Sequence, residues 1–113
     1  MAGTEWVFSY GTLRLADVQR GTYGRLLDGE DDRLVGWTLQ YLAISNPEVV
    51  ALSGVAEHPV AVPTGDPSDA VAGTRFHLTA AEMAATDVYE SADYVRVPVV
   101  LASGVAAWLY VAK

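Results

Sequence analysis

The chain has 113 residues, the length of one domain rather than two joined by a linker. Its 51% hydrophobic and 19% charged composition excludes a disordered chain, and the absence of cysteine excludes disulfides, thiolate metal sites and a cysteine nucleophile. Fourteen acidic residues against seven basic give a net charge of −7, a poor balance for binding nucleic acid, and the six arginines and single lysine, Lys113, form no basic stripe. No apolar run approaches the ~18 residues of a membrane span, and Met1–Trp6 has neither a basic start nor an apolar signal core. The expectation is a single domain over residues 1–113 in the cytoplasm, with no nucleic-acid or membrane partner.

Trp6-Val7-Phe8-Ser9-Tyr10 is aromatic and β-favouring and stops at Gly11, which predicts a first strand. Leu13–Arg20 contains good helix formers, closed by Gly21 and Gly24. Asp28–Asp32 reads as a solvated polar turn without the spaced ligands of a calcium loop. One β-leaning run follows from Leu34 to Ile44, ending at Asn46-Pro47, and a second from Glu48 to Ser53, ending at Gly54. Pro59, Pro63 and the polar stretch Thr64–Asp69 then predict a long loop, with one short strand at Pro59–Val62.

In the second half, Ala70–Leu78 is a strand candidate. Thr79-Ala80-Ala81-Glu82 has the spacing of a capping box, in which side chain and backbone satisfy orphan donors reciprocally. The helix it starts runs to about Tyr89, with Ala81, Ala84, Ala85 and Val88 as its small apolar stripe. Tyr94–Leu101 and Val105–Val111 form a hairpin around Ser103-Gly104, and Pro98, which has no amide to donate, marks an edge or bulge. Together these predict an α+β fold: a small mixed β-sheet or open β-barrel with flanking helices.

Two places hold more than core and turns. Behind the first strand, the amides of Gly11, Thr12 and Leu13 are placed either to form a nest for a carboxylate or developing oxyanion, or simply to make a strand-to-helix turn. In Asp87-Val88-Tyr89-Glu90, the glutamate stands at the unfavourable end of the helix dipole. It lies opposite the alanine stripe, with Met83, Thr86 and Asp87, so periodicity leaves open a solvated helix-end residue. Arg96 has three readings: a partner that lowers the Glu90 pKa, a clamp for an anionic substrate, or a solvated or structurally paired arginine. His58 and His77, the only histidines, have no close acidic spacing, so no metal site is expected. The tryptophans and tyrosines are expected in the core.

These pieces, in this order, resemble the gamma-glutamylcyclotransferase-like family. Val7-Phe8-Ser9-Tyr10-Gly11-Thr12-Leu13 looks like its YGSL/YGTL opening, and Val71–Leu78 like its V-x-G-x-x-[FY]-x-L strand. Asp87–Glu90 matches its D-x-[FY]-E segment, Tyr94, Arg96, Val97 and Val99 the strand that follows, and Ala107–Tyr110 its closing strand. The likeness is weakest from about Gly24 to Val62. It implies a β-barrel-like fold and a cavity between the N-terminal loop and the glutamate. It also implies an enzyme that cyclises a γ-glutamyl amide to 5-oxoproline and releases an amine, with neither metal nor cofactor. Glu90 then falls on the catalytic glutamate and Tyr10, Gly11, Thr12 and Leu13 on the substrate-binding loop, with Tyr94 and Arg96 as supporting residues. A glutamate raised towards ~6–7 by burial suits that proton transfer.

The loop lacks the asparagine of the branch acting on γ-glutamyl amino acids, Leu15-Ala16 replaces the usual glycine and polar residues, and Ser91 stands where glycine is common. A non-catalytic module binding a small acid or amide is the alternative of a different class. A third reading is an assembly partner, such as a homodimer through the edge near Pro98.

Overall fold

The computed structural model describes residues 5–43 and 57–112. Strand β1 (Glu5–Ser9) contains three consecutive buried residues, Val7, Phe8 and Ser9, so it must be covered on both faces. It is the middle strand of a five-stranded sheet ordered β2-β5-β1-β7-β6, with β2 at Gly29–Val35, β5 at Ala70–Leu78, β6 at Tyr94–Val100 and β7 at Ala106–Ala112. β1 runs antiparallel to β5, from Glu5↔Leu78 to Ser9↔Thr74, and parallel to β7 at Val7↔Trp108 and Phe8↔Leu109. A separate antiparallel pair, β3 (Trp37–Ala43) and β4 (Glu57–Pro63), makes a second sheet.

Alternation along the strands sends neighbouring residues to opposite faces. One face carries Phe8, Leu34, Val71 and Leu109 against Ala61, Trp37 and Leu39 of the β3–β4 pair. The other carries Val7, Phe76, Leu78 and Tyr110 beneath helix α2 (Ala80–Glu90), which contributes Met83, and next to Tyr23 of α1 (Ala16–Tyr23). The result is the expected α+β architecture, a mixed sheet with helices on one flank.

Asp28–Asp32 is not a solvated turn. Gly29–Val35 is a strand, with Asp32 and Leu34 pointing in and Asp31 and Arg33 pointing out. Asp32, only 8% exposed, accepts from Arg75 Nε at 3.0 Å and from the Ser103 hydroxyl and amide. Arg75 also pairs with Glu30, its neighbour across the ladder. Burial raises the Asp32 carboxyl, but the hydrogen bonds from Ser103 and Arg33 and the Arg75 charge outweigh it and hold the pKa below the ordinary value. The Ala102 amide also donates to the Arg33 carbonyl at 2.8 Å. The β2 edge is thereby tied to the β6–β7 turn, curling the sheet into an open barrel. The acidic run reads as a turn because its compensating residues lie 43 and 71 positions away.

Other boundaries move for local reasons. The predicted helix over 13–20 is a 3-10 turn at Thr12–Arg14 followed by α1, separated by an extended Leu15. Gly21 lies inside α1, and Gly24 closes it in the left-handed conformation at φ 71°. The single run Leu34–Ile44 is broken by Gly36 at φ 84°, whose carbonyl accepts from Thr64 and Gly65 as the chain turns from β2 to β3. β4 is longer than the short strand expected there, and the run Glu48–Ser53 lies outside the described residues. The edge predicted from Pro98 is correct, since β6 is an outer strand.

The most consequential difference is the face α2 presents. The capping box forms as predicted, with Thr79 accepting from the Glu82 amide and Glu82 accepting from the Thr79 amide. The alanine stripe, however, is the outer side, and Val88 is 75% exposed. Met83 and Thr86 are buried instead. Alanines remove little apolar area from water, whereas a methionine removes much more. Burying Thr86 costs little because its hydroxyl donates to the Glu82 carbonyl and accepts from Tyr23 OH. The face shared by Met83, Thr86, Asp87 and Glu90 is therefore turned to the sheet.

Replacing Asp32 with alanine strands Arg75 and Ser103. Asp32→Ala is expected to lose about 2–3 kcal/mol in urea unfolding at neutral pH, less than a full buried-pair break because Glu30 still faces Arg75. With a folded pKa below the unfolded one, this contribution is present above pH ~4 and fades as pH falls through the folded value, so the two proteins converge in acid.

Candidate active site

The loop after β1 is held from three sides. Tyr10 OH donates to the Tyr110 carbonyl at 3.1 Å and accepts from the Ala61 amide at 2.9 Å, anchoring the loop to β7 and β4. The Leu13 side chain is buried, and its carbonyl accepts from Gln19 of α1 at 2.9 Å. Arg14 folds back so that Nη2 meets the Tyr10 carbonyl at 3.0 Å and Nε the Gly11 carbonyl at 3.3 Å.

With its carbonyls engaged, the loop's free polarity lies in its amides. The 3-10 bonds run from the Arg14 and Leu15 amides to the Gly11 and Thr12 carbonyls, which leaves Thr12 and Leu13 as orphan donors among the described residues at the start of the turn. The Gly11 amide donates to Ser9 Oγ at 3.3 Å. Gly11 has φ −131° and ψ −143°, and a Cβ there would meet no atom within 4 Å. Packing does not require its glycine, and the position faces open space.

The loop and the end of α2 are brought together, since Thr12 Oγ1 and Tyr89 OH are 2.8 Å apart. One residue on, Glu90 is half-buried in the last helical turn, which has no basic side chain to offset the dipole. Burial, with the Asp93 charge adding to it, pushes its pKa up to about 7. Tyrosines converge on this carboxyl from four elements. Burial raises Tyr10, Tyr23, Tyr94 and Tyr110 above the ordinary phenol value, and the Glu90 charge adds to the rise in each. Tyr10 and Tyr94 are thus brought together with Glu90.

Arg96 takes the structural reading. Its Nε is 3.2 Å from Asp87 Oδ1, its guanidinium lies 4.4 Å over the Trp108 ring, and it does not pair with Glu90. Tyr110 OH donates to the same Asp87 oxygen at 2.6 Å. Asp87, Tyr23 and Tyr110 had no assigned role in the sequence reading. The three-residue spacing of Asp87 and Glu90 was a visible signal, but the tyrosines are brought in only by tertiary packing.

A cavity of about 560 Å³ opens beside Arg14, walled by Asp31, Asp32, Arg33 and Thr74 over Gly73. Glu90 is not among its walls, so this is not the cavity expected between loop and glutamate. His77 stacks on Trp6 at 4.5 Å, which accounts for its place on β5. Among the described residues no group of three acidic or histidine side chains is placed to hold a metal, and no helix is long and apolar enough to cross a membrane.

The sequence profile of a family described as "Gamma-glutamyl cyclotransferase, AIG2-like" matches residues 7–113. No curated protein sequence matches. Among solved structures, the chain is similar to two Arabidopsis thaliana proteins determined in solution. At3g28950.1 aligns with a TM-score of 0.74 at 24% identity, over 99% of this chain and 66% of that one. At5g39720.1 aligns with a TM-score of 0.73 at 22% identity, over 96% and 68%. The solved structure of a gamma-glutamyl cyclotransferase aligns with a TM-score of 0.66 at 15% identity, over 96% and 66%. At these identities the likeness establishes a shared fold, and the chain spans about two-thirds of the length of each.

A carboxyl whose folded pKa lies above its unfolded value binds more protons when folded, so its contribution to stability falls as pH rises between the two. The parent is expected to lose stability relative to Glu90→Gln between pH ~4.3 and 7, and to level off above. Because Glu90 is only partly shielded, the difference at pH 8 is expected near 1–2 kcal/mol. Chemical unfolding of both proteins across this range measures it.

Proposed function

The chain belongs to the gamma-glutamyl cyclotransferase, AIG2-like family, and from that premise we propose that it cyclises a γ-glutamyl amide to 5-oxoproline and an amine. The observation that carries the proposal is the Glu90 carboxyl, half-buried and raised to about 7 in the helical turn that Tyr89 ties to the loop through Thr12.

The substrate's α-amine arrives as an ammonium with a pKa near 8 and must lose a proton before it attacks. Glu90, ionised over much of the neutral range, accepts that proton. The amine nitrogen then bonds to the γ-carbonyl carbon, and the negative charge that develops on oxygen is met by backbone donors of the Thr12–Leu13 segment, already held in place by Arg14 and the Leu13 side chain. Glu90 returns that proton to the leaving nitrogen as the original amide C–N bond breaks, and the second proton of the attacking nitrogen follows the same route, so the five-membered lactam closes with one N–H and the amine leaves as an ammonium. Two protons pass from the attacking to the leaving nitrogen and no electrons are transferred, so the chemistry calls for no redox cofactor. Because nucleophile and electrophile share a molecule, the site has mainly to hold the folded-back conformer.

A module that only bound a small acid would gain nothing from this carboxyl, whose elevated pKa destabilises the folded chain at neutral pH and whose charge repels an anion. The tuned acid therefore favours an enzyme over a binding module. The open space in front of Gly11 supports the assignment of Tyr10–Leu13 as the substrate loop. The partner is a small γ-glutamyl compound, and the amine it releases is the variable to be screened.

The test is 5-oxoproline release from a panel of γ-glutamyl amino acids, γ-glutamyl amines and glutathione. Glu90→Gln is expected to lower kcat/KM by about 10²–10⁴ with the fold intact; turnover equal to the parent's would remove Glu90 from the mechanism. Gly11→Val is expected to abolish substrate binding while changing the melting temperature little, because the new side chain occupies open space. Parallel losses of binding and stability would make Gly11 a turn residue only.

A further inference from the structure

Asp87 and Glu90 stand three residues apart near the end of α2, a spacing that makes side chains neighbours on one helix face. Their surroundings are opposite. Asp87 Oδ1 accepts from Tyr110 OH at 2.6 Å and lies 3.2 Å from Arg96 Nε. Arg96 and Tyr110 face each other across the β6–β7 ladder, and the Arg96 guanidinium is further held over Trp108. The Glu90 carboxyl makes no hydrogen bond or ion pair among the described residues. The groups that act on it or feel it are Tyr10 from the end of β1, Tyr23 from α1, Tyr94 from β6, Tyr110 from β7 and Asp93 from the turn after α2.

Of these two neighbouring carboxylates, Asp87 holds the arginine. Arg96 shares its strand face with Tyr94, two residues before it, and its Nε lies 3.2 Å from Asp87, whose helix-face neighbour is Glu90, so one helical-neighbour step separates the guanidinium from the second acid. We propose that Asp87 is a positioning residue for Glu90: by occupying the Arg96 guanidinium and the Tyr110 hydroxyl, it keeps cation and donor off the Glu90 carboxyl and leaves that carboxyl free to take up and return a proton. The catalytic consequence rests on the cyclotransferase reading; the contest for Arg96 does not. An arginine beside a carboxylate lowers its pKa by about 1–3 units, enough to remove Glu90 from the neutral range.

The experiment is a carboxyl ¹³C NMR titration of Glu90 in the parent, Asp87→Asn, Asp87→Glu and the double variant Asp87→Asn/Arg96→Gln. The Asp87 side chain is 41% exposed, so asparagine fits without repacking. Asp87→Asn is expected to lower the Glu90 midpoint by about one unit as Arg96 swings across. Asp87→Glu, which keeps the pair, and the double variant, which has no arginine to release, are expected to titrate like the parent. An unchanged midpoint in Asp87→Asn would make Asp87 merely structural and overturn the proposal. An equal fall in the single and double variants would also overturn it, by assigning the effect to lost like-charge repulsion.

Should Asp87→Asn fail to fold, the double variant decides: a midpoint raised by a unit would mean that Arg96 already acts on Glu90. The titration needs no turnover. Failure of the parent to release 5-oxoproline would therefore count against the proposed reaction and not against this role. Where turnover is found, the acid limb of the kcat/KM profile is expected to move with the NMR midpoint.

Discussion

Pairing of β1 on both of its edges is the constraint on which the rest of the structure depends. Five residues hold an antiparallel ladder to β5 on one side and a parallel one to β7 on the other. Their side chains supply Val7 to one core and Phe8 to the other. The strand cannot shift by one residue without exchanging those faces. Its end point is therefore set, and so is the position of the loop that follows. The orphan amides of Thr12 and Leu13 owe their placement to a sheet registered at Val7↔Trp108 and Phe8↔Leu109.

The same sheet dictates how the other half of the site is built. β7 brings Tyr110, β6 brings Tyr94 and Arg96, and α2 lays Met83, Thr86, Asp87 and Glu90 across them. A helix facing a sheet with mostly polar residues is stable only if each of them finds a partner. Thr86 finds Tyr23 and a backbone carbonyl, and Asp87 finds Tyr110 and Arg96. Glu90 is left over. Its burial without compensation is the energetic concession of this interface, and it is also what brings the carboxyl near neutrality, because an acid near neutrality must be one that the protein has declined to stabilise as an anion.

A second charged cluster, at the far edge, shows the opposite solution. Asp32 is as buried as any polar residue in the sheet except Ser9, yet Arg75, Ser103 and the Arg33 amide surround it and its carboxyl stays ionised. It fastens β2 to the β6–β7 turn, while Arg75 also lies 4.4 Å over the Trp6 ring. Asp32 and Glu90 are carboxylates in one small fold with pKa values driven in opposite directions, one by partners and one by their absence. The first acts as a rivet and the second has the properties of a reagent.

By itself the sequence determined the elements whose signals are local. The capping box at Thr79–Glu82, the strand Ala70–Leu78, the terminal hairpin and the edge at Pro98 all depend on neighbours a few residues apart, and each is where its pattern says. The order of the motifs also carried the family. Tertiary structure alone decided what depends on residues distant in the chain. Asp28–Asp32 reads as a turn until Arg75 and Ser103 are brought to it. The alanine stripe of α2 reads as the buried face until Tyr23 and Tyr110 give Thr86 and Asp87 partners on the opposite side. Glu90 has the same identity and helix position whether solvated or desolvated. Its pKa is a property of the cluster that covers it, and no periodicity along α2 encodes what β1, α1, β6 and β7 place there.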